Sequence, residues 1–257
     1  MFDPRPAAES FCAHRKAATG FTDFPGQFPE TLDEAYATQR TAIEIWDRPI
    51  AGWKVGRILG QHEEKHGENR FLGPIFHDSV WPVADGASTP FPATREGFAA
   101  LEAELVAIID GPATTDTVTP QQCADLVREW RFGIEVAGSA LATIGDLGPL
   151  ASIAGFGNNM GLVLGDLLNG AAPDDVLCTT VIEGQPFGPK PASALPGGPL
   201  AAITYAVNKL RELGHPIEDG TMISTGAITG VHPVEPGQVC EVRFEPGQTI
   251  NCEVTIV

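Results

Sequence analysis

Leu101-Glu102-Ala103-Glu104-Leu105-Val106-Ala107-Ile108-Ile109 is the stretch that decides how this chain folds. A β-strand repeats every two residues, so an extended reading puts Glu102 and Glu104 on one face and Leu101, Ala103 and Leu105 on the other. The apolar run to Ile109 predicts burial, and Asp110-Gly111-Pro112 predicts the turn that ends it. Neighbouring carboxylates repel, and an unpaired charge among apolar residues is costly. A divalent cation resolves both problems. A second apolar strand is expected over 131–137, and it carries a third carboxylate, Glu135. Glu102, Glu104 and Glu135, with no His or Cys among them, describe an oxygen-only site suited to Mg2+ or Mn2+ rather than Zn2+. Spacing alone also admits a plainer reading, a solvated Glu-x-Glu face and an ordinary ion pair at Glu135.

Upstream, Gly52-Trp53-Lys54-Val55-Gly56 opens a strand expected over 53–58, where small and apolar neighbours suggest a cleft for Lys54. A desolvated ammonium there can hold a substrate carboxylate or move a proton, and near a metal its pKa is expected to fall. A half-exposed surface lysine is the alternative. Asp78, in Phe76-His77-Asp78, is a candidate partner or a plain turn aspartate. Gly157-Asn158-Asn159 and Thr225-Gly226-Ala227 read alone as turns, and could shape a pocket through backbone amides and short polar side chains.

Around these strands, residues 1–30 read as a Pro-rich polar segment anchored by Phe21, Phe24 and Phe28. Thr31 and Glu34 resemble a capping box ahead of an amphipathic helix over 32–46. Residues 59–70 read as a charged loop. Thr119-Pro120 opens a helix expected to reach about Glu129, and a helix over 199–213 ends at Gly214. Short strands are expected over 160–164, 176–183, 222–224, 239–244 and 249–257, with Pro-Gly turns at 236–237 and 246–247. The picture is an α+β chain with an N-terminal helical segment, 1–51, and a β-rich body, 52–257.

The whole composition narrows the function. Lys and Arg number 16 against 33 Asp and Glu, a formal charge of −17, which argues against nucleic acid or an anionic membrane as partner. No apolar run reaches about 18 residues and no leader pattern opens the chain, so a cytoplasmic protein with no membrane span is expected. Five scattered cysteines predict buried packing thiols rather than disulfides or a thiolate metal site. His62-Glu63-Glu64-Lys65-His66 matches the pattern of zinc peptidases, but that motif needs an apolar helix. Charged variable positions between Gly60 and Gly67 predict a solvated loop instead. No GxGxxG, Walker A or GxSxG sequence occurs.

Taken in order, Gly52-Trp53-Lys54-Val55-Gly56, Leu101-Glu102-Ala103-Glu104, Ile134-Glu135-Val136-Ala137-Gly138-Ser139 and Thr225-Gly226-Ala227 resemble the 2-keto-4-pentenoate hydratases. They also resemble the related 4-oxalocrotonate decarboxylases of the fumarylacetoacetate hydrolase superfamily. Glu34-Ala35-Tyr36-Ala37-Thr38-Gln39 and the region from Gly198-Pro199-Leu200 to Gly220 extend the resemblance to about residues 30–250. It implies a mixed β-roll preceded by helices, and a Mg2+ or Mn2+ ion on Glu102, Glu104 and Glu135. It implies Lys54 as the catalytic lysine, Asp78 as its partner, and a substrate pocket near Asn158, Asn159, Thr225 and Gly226. The implied activity is hydration of 2-hydroxy-2,4-dienoates in aromatic catabolism, by a homo-oligomer (a dimer or ring of dimers). Decarboxylation of a 2-oxo acid, C–C hydrolysis of an acylpyruvate, and an inactive 2-oxo acid or metal binder are the alternatives. Two segments depart from the pattern: Gly157-Asn158-Asn159-Met160 replaces a small Asn-Ala-Ser stretch, and 57–71 does not match.

Overall fold

Phe98–Ile109 forms one long strand, and the rest of the molecule is arranged about its two faces. The computed structural model describes residues 2–83, 88–111 and 116–257, so Pro112 of the expected turn lies outside it. The helices are α1 (Arg5–Ala17), α2 (Leu32–Trp46), α3 (Gln61–His66), α4 (Pro120–Asp125), α5 (Ile144–Leu147), α6 (Pro149–Ala154) and α7 (Gly198–Leu213). The strands are β1 (Ile50–Arg57), β2 (Arg70–Phe76), β3 (Val80–Pro82), β4 (Thr89–Ala93), β5 (Phe98–Ile109), β6 (Val127–Ser139) and β7 (Asn159–Leu167). They continue with β8 (Leu177–Ile182), β9 (Gln185–Pro191), β10 (Met222–Ser224), β11 (His232–Pro233), β12 (Val239–Glu245) and β13 (Thr249–Ile256).

Two mixed sheets result. The larger runs β2-β1-β10-β5-β6-β7-β3, with β11 also on β5; the smaller runs β4-β13-β12-β8-β9. Period-two alternation assigns the faces. Leu101, Ala103 and Leu105 of β5, with Ile134 and Val136 of β6, pack on Phe91, Val242, Phe244, Ile250 and Val254 of the smaller sheet. Farther along the same face, Ala107 and Ile109 join Trp53, Val55 and Ile223 under Ile203, Ala206, Val207 and Leu210 of α7. Each fully buried Leu or Ile there contributes about 1.5–3 kcal/mol. The opposite face of the larger sheet curls inward, where Ile75, Val106, Ile108 and Leu162 meet as an apolar plug.

The helix over 32–46 forms with the expected bounds. Thr31 Oγ1 accepts from Glu34 N, while Glu34 reaches back to Glu30 N, one residue earlier than a capping box requires. Three expectations need correction. Residues 5–17 are helical, because Ala7, Ala8, Phe11 and Cys12 make a small-residue face that packs closely on Ala42, Phe76 and Phe156. Residues 61–66 form the short helix α3 rather than a loop, with Gly67 as its left-handed cap. The helix after Thr119 stops at Asp125, since β6 begins at Val127 to pair with the full length of β5. All five cysteines are free and buried, and burial pushes Cys178 and Cys252 up to about 12. No helix among the described residues is long and apolar enough to cross a membrane.

Candidate metal centre

Strand register brings the acidic groups together. Glu102 stands directly opposite Glu135 across β5 and β6, and Glu104 stands opposite Gly133. A Cβ at Gly133 would lie 2.6 Å from Val106 Cγ2, so the glycine leaves room on this crowded face. Lys54 of β1 pairs with Ser224 of β10, which pairs with Val106 of β5. Lys54, Ser224 and the three glutamates therefore share the inward face of the curled sheet. Glu104 and Glu135 are fully buried, while Glu102 is 7% exposed and Lys54 3%. Of these four side chains, Glu102 and Lys54 are the two that keep any exposure among the described residues.

One oxygen from each glutamate lies within 4.8 Å of the others. At that separation two carboxylates repel by about 3 kcal/mol at an effective dielectric of 20. Protein donors hold one side of each inner group. Lys54 Nζ lies 3.2 Å from Glu135 Oε1, and Asn159 Nδ2 donates to the same atom at 3.0 Å. Glu104 Oε2 accepts from Ser224 Oγ at 2.5 Å and from Gly226 N at 2.8 Å. The remaining oxygens, Glu135 Oε2 and Glu104 Oε1, are buried without a partner among the described residues. Orphaned buried acceptors are rare because they forfeit solvation without compensation. Three carboxylates and one ammonium leave two net negative charges when all are ionised, which a divalent cation matches. The residues fit a hard, oxygen-ligated cation.

Electrostatics follow from the packing. Burial, then the charge of Glu135, raises Glu102 to about 7, with Lys54 opposing. Burial, Glu135 and Glu102 hold Glu104 well above the usual carboxylate range against Ser224 and Lys54. The lowered pKa expected for Lys54 belongs to the metal-bound state; in the metal-free cluster the balance runs the other way. Burial lowers the ammonium, but Glu135, Glu102 and Glu104 outweigh it and keep Lys54 above its ordinary value. The ring of Phe71 lies 5.2 Å from Lys54 Nζ and covers it, crossing Gly56, where a Cβ would sit 2.2 Å from the ring.

The other candidates divide. Asn159 and Gly226 touch the glutamates directly. Asn158 is half-buried beside them in sequence, with Oδ1 unpartnered. Thr225 is buried, but its hydroxyl donates to Leu105 O and serves the strand junction. Asp78 is not brought to Lys54. It sits in the single 3-10 turn after β2, half exposed, 3.7 Å from Arg48. Phe76 ends the buried strand, and that turn carries Asp78 outward. His62 and His66 stack with ring centroids 6.4 Å apart on a helix with no buried residue, and they join no acidic group as a metal cluster among the described residues. Sequence reasoning missed Ser224 and Phe71. Ser224 carries no local signal, since its partner Glu104 lies 120 residues away.

No protein-family model matches the chain. It is 24% identical over 256 residues to the 2-keto-4-pentenoate hydratase of Paraburkholderia xenovorans, covering 96% of this chain and 93% of that protein. The 2-keto-4-pentenoate hydratase 3 of Pseudomonas putida matches equally. Among solved structures, the 4-oxalocrotonate decarboxylase of Pseudomonas putida G7, complexed with magnesium and adipate, superposes with TM-score 0.82. The match is at 20% identity and covers 99% of this chain and 97% of that one. The fumarylpyruvate hydrolase of Pseudomonas aeruginosa, in complex with Mn2+ and pyruvate, matches at TM-score 0.60 and 18% identity. It covers 80% and 89% of the two chains. The whole-chain likeness to the hydratases and the shared fold agree with the family resemblance and the mixed β-roll read from the sequence.

Proposed function

We propose that the chain is a divalent-cation-dependent lyase that hydrates 2-hydroxy-2,4-dienoates to 4-hydroxy-2-oxo acids. One observation carries the reading: a buried lysine meets three carboxylates, two of which have buried oxygens with no partner among the described residues. The whole-length likeness to 2-keto-4-pentenoate hydratases supports it.

In this proposal Glu102, Glu104 and Glu135 hold Mg2+ or Mn2+. The ion supplies Lewis acidity toward charge that develops on a 2-oxo oxygen. Ser224 and Gly226 fix Glu104, and Asn159 fixes Glu135, so the ligand set is pre-arranged. The Lys54 ammonium neutralises the substrate carboxylate and holds a proton at Nζ, on a side chain that keeps 3% exposure. Asn158 Oδ1 accepts a hydrogen bond from the substrate hydroxyl or from the attacking water. Phe71 excludes bulk water from Lys54. Proton handling falls to Lys54 alone, because Asp78 stands at the surface with Arg48.

The deciding experiment follows the absorbance of 2-hydroxypenta-2,4-dienoate with Mg2+, with chelator, and with Glu104→Gln. Mg2+-dependent loss of the dienoate that disappears in Glu104→Gln is the expected result. A dienoate that persists while Mg2+ binds removes the hydratase assignment, and oxalocrotonate-type decarboxylation and acylpyruvate cleavage are then assayed on the same centre.

A further inference from the structure

Arg15, in the last turn of α1, reaches into the sheet that carries the centre. Its Nη1 donates to Asn159 O at 2.7 Å and its Nη2 to Met160 O at 3.1 Å. The guanidinium carbon lies 5.0 Å from the Phe156 ring centroid and 5.4 Å from those of Trp46 and Phe76. Three aromatic faces thus sandwich a planar cation whose fork holds two successive carbonyls.

The two carbonyls belong to an irregular piece of backbone. The β6–β7 register slips between Val136 and Ala137, where Ala137 pairs with Asn159. A slip of this kind leaves peptide groups outside the regular ladder, and buried peptide groups need partners. Just before it, Phe156 and Asn158 have φ of 58° and 56°, values rare for residues with side chains. Surrounding contacts must hold such a segment in place. Gly157 does so on one side, packing against Gly73 so closely that a Cβ would lie 2.2 Å from Gly73 Cα. Arg15 does so on the other.

We infer that Arg15 is a positioning residue of the centre: by fixing the Asn159 backbone it aims Asn159 Nδ2 at Glu135 Oε1 and leaves Glu135 Oε2 for the cation. The inference rests on the metal-centre reading above. An apolar side chain at position 15 would preserve the aromatic packing but release both carbonyls. Lysine would restore the charge without the two-pronged fork.

The test is Mn2+ affinity by titration calorimetry on the full chain, with folding checked by circular dichroism at the same temperature. The variants are Arg15→Met, Arg15→Lys, Asn159→Ala and the Arg15→Met/Asn159→Ala double variant. Arg15→Met is expected to weaken Mn2+ roughly 10- to 100-fold, with Arg15→Lys intermediate. The double variant is expected to bind no more weakly than Asn159→Ala, because both changes act through one side chain. A merely structural role would make the two losses multiply. Folded Arg15→Met with wild-type affinity, or multiplying losses, overturns the inference while the metal centre stands. Wild-type protein that binds no Mn2+ overturns both. Should Arg15→Met not fold, the Arg15→Lys/Asn159→Ala cycle decides by the same criterion.

Discussion

Ser224 donates its hydroxyl hydrogen to Glu104 across 2.5 Å, and both residues are fully buried. A bond this short is directional, and it becomes charge-assisted and stronger once Glu104 is ionised. Ser224→Ala leaves Gly226 N as the remaining donor to that oxygen and frees Glu104 to rotate. Mn2+ affinity is expected to fall about tenfold, read by titration calorimetry. Unchanged affinity would mean that Gly226 alone orients the carboxylate.

In the metal-free protein the contribution of Glu102 to stability should fall as pH rises. Glu102 titrates near 7 in the folded chain and near 4.5 as a free carboxyl, so between these values the folded state binds the extra proton. Its contribution is complete below about 4.5 and is lost as pH climbs through about 7, at no more than about 1.4 kcal/mol per pH unit. Urea unfolding with chelator at pH 5, 6, 7 and 8 measures this. Burial lowers His66, His215 and His232, which favours stability at higher pH, so the slope is compared with that of Glu102→Gln. Wild type should decline more steeply, Mg2+ should remove the difference, and identical metal-free slopes contradict the buried-carboxylate account.

Gly157→Ala should unfold early. The residue has φ +70°, and its new Cβ would strike the Gly73 backbone rather than a yielding side chain. A cost of at least about 2 kcal/mol corresponds to a Tm lower by roughly 4–8 °C in a chain of this size. Differential scanning calorimetry decides; a Tm within a degree of wild type would show that the Phe156–Asn158 turn does not bear on Gly73.

Asp78→Asn is expected to leave dienoate turnover within about twofold and stability nearly unchanged, as surface ion pairs contribute little. Its carboxylate faces Arg48, with both side chains more than half exposed. Steady-state kinetics that lost most of the turnover would return Asp78 to the reaction.

How much was legible depended on how local the signal was. Strand β5 and helix α2 could be read because periodicity, caps and burial agree within a dozen residues. Helix α1 could not, since half of its buried face is alanine, which carries little hydrophobic signal until a close-packed partner is known. Strand β9 was missed because an exposed edge with Gly188 and three prolines looks like a turn. Among the site residues, Lys54 and the glutamates stood out as charges in apolar runs. Ser224 and Arg15 did not, because their meaning lies in partners supplied by other elements. Asp78 was drawn in by its apolar neighbours, although one 3-10 turn suffices to carry a side chain from the core to the surface.

The ties that complete the centre span long stretches of chain: 120 residues separate Ser224 from Glu104, and 144 separate Arg15 from Asn159. Successive strands β5 and β6, by contrast, bring Glu102 opposite Glu135 through pairing of neighbours. Contacts between distant segments form only after the entropy of closing large loops has been met. During refolding the β5–β6 pairing is therefore expected to bring the carboxylates together before the donors that orient them arrive. On the proposed metal-centre reading, tight cation binding would then serve as a clock for the last step of folding, silent through collapse and audible only on arrival at the native state.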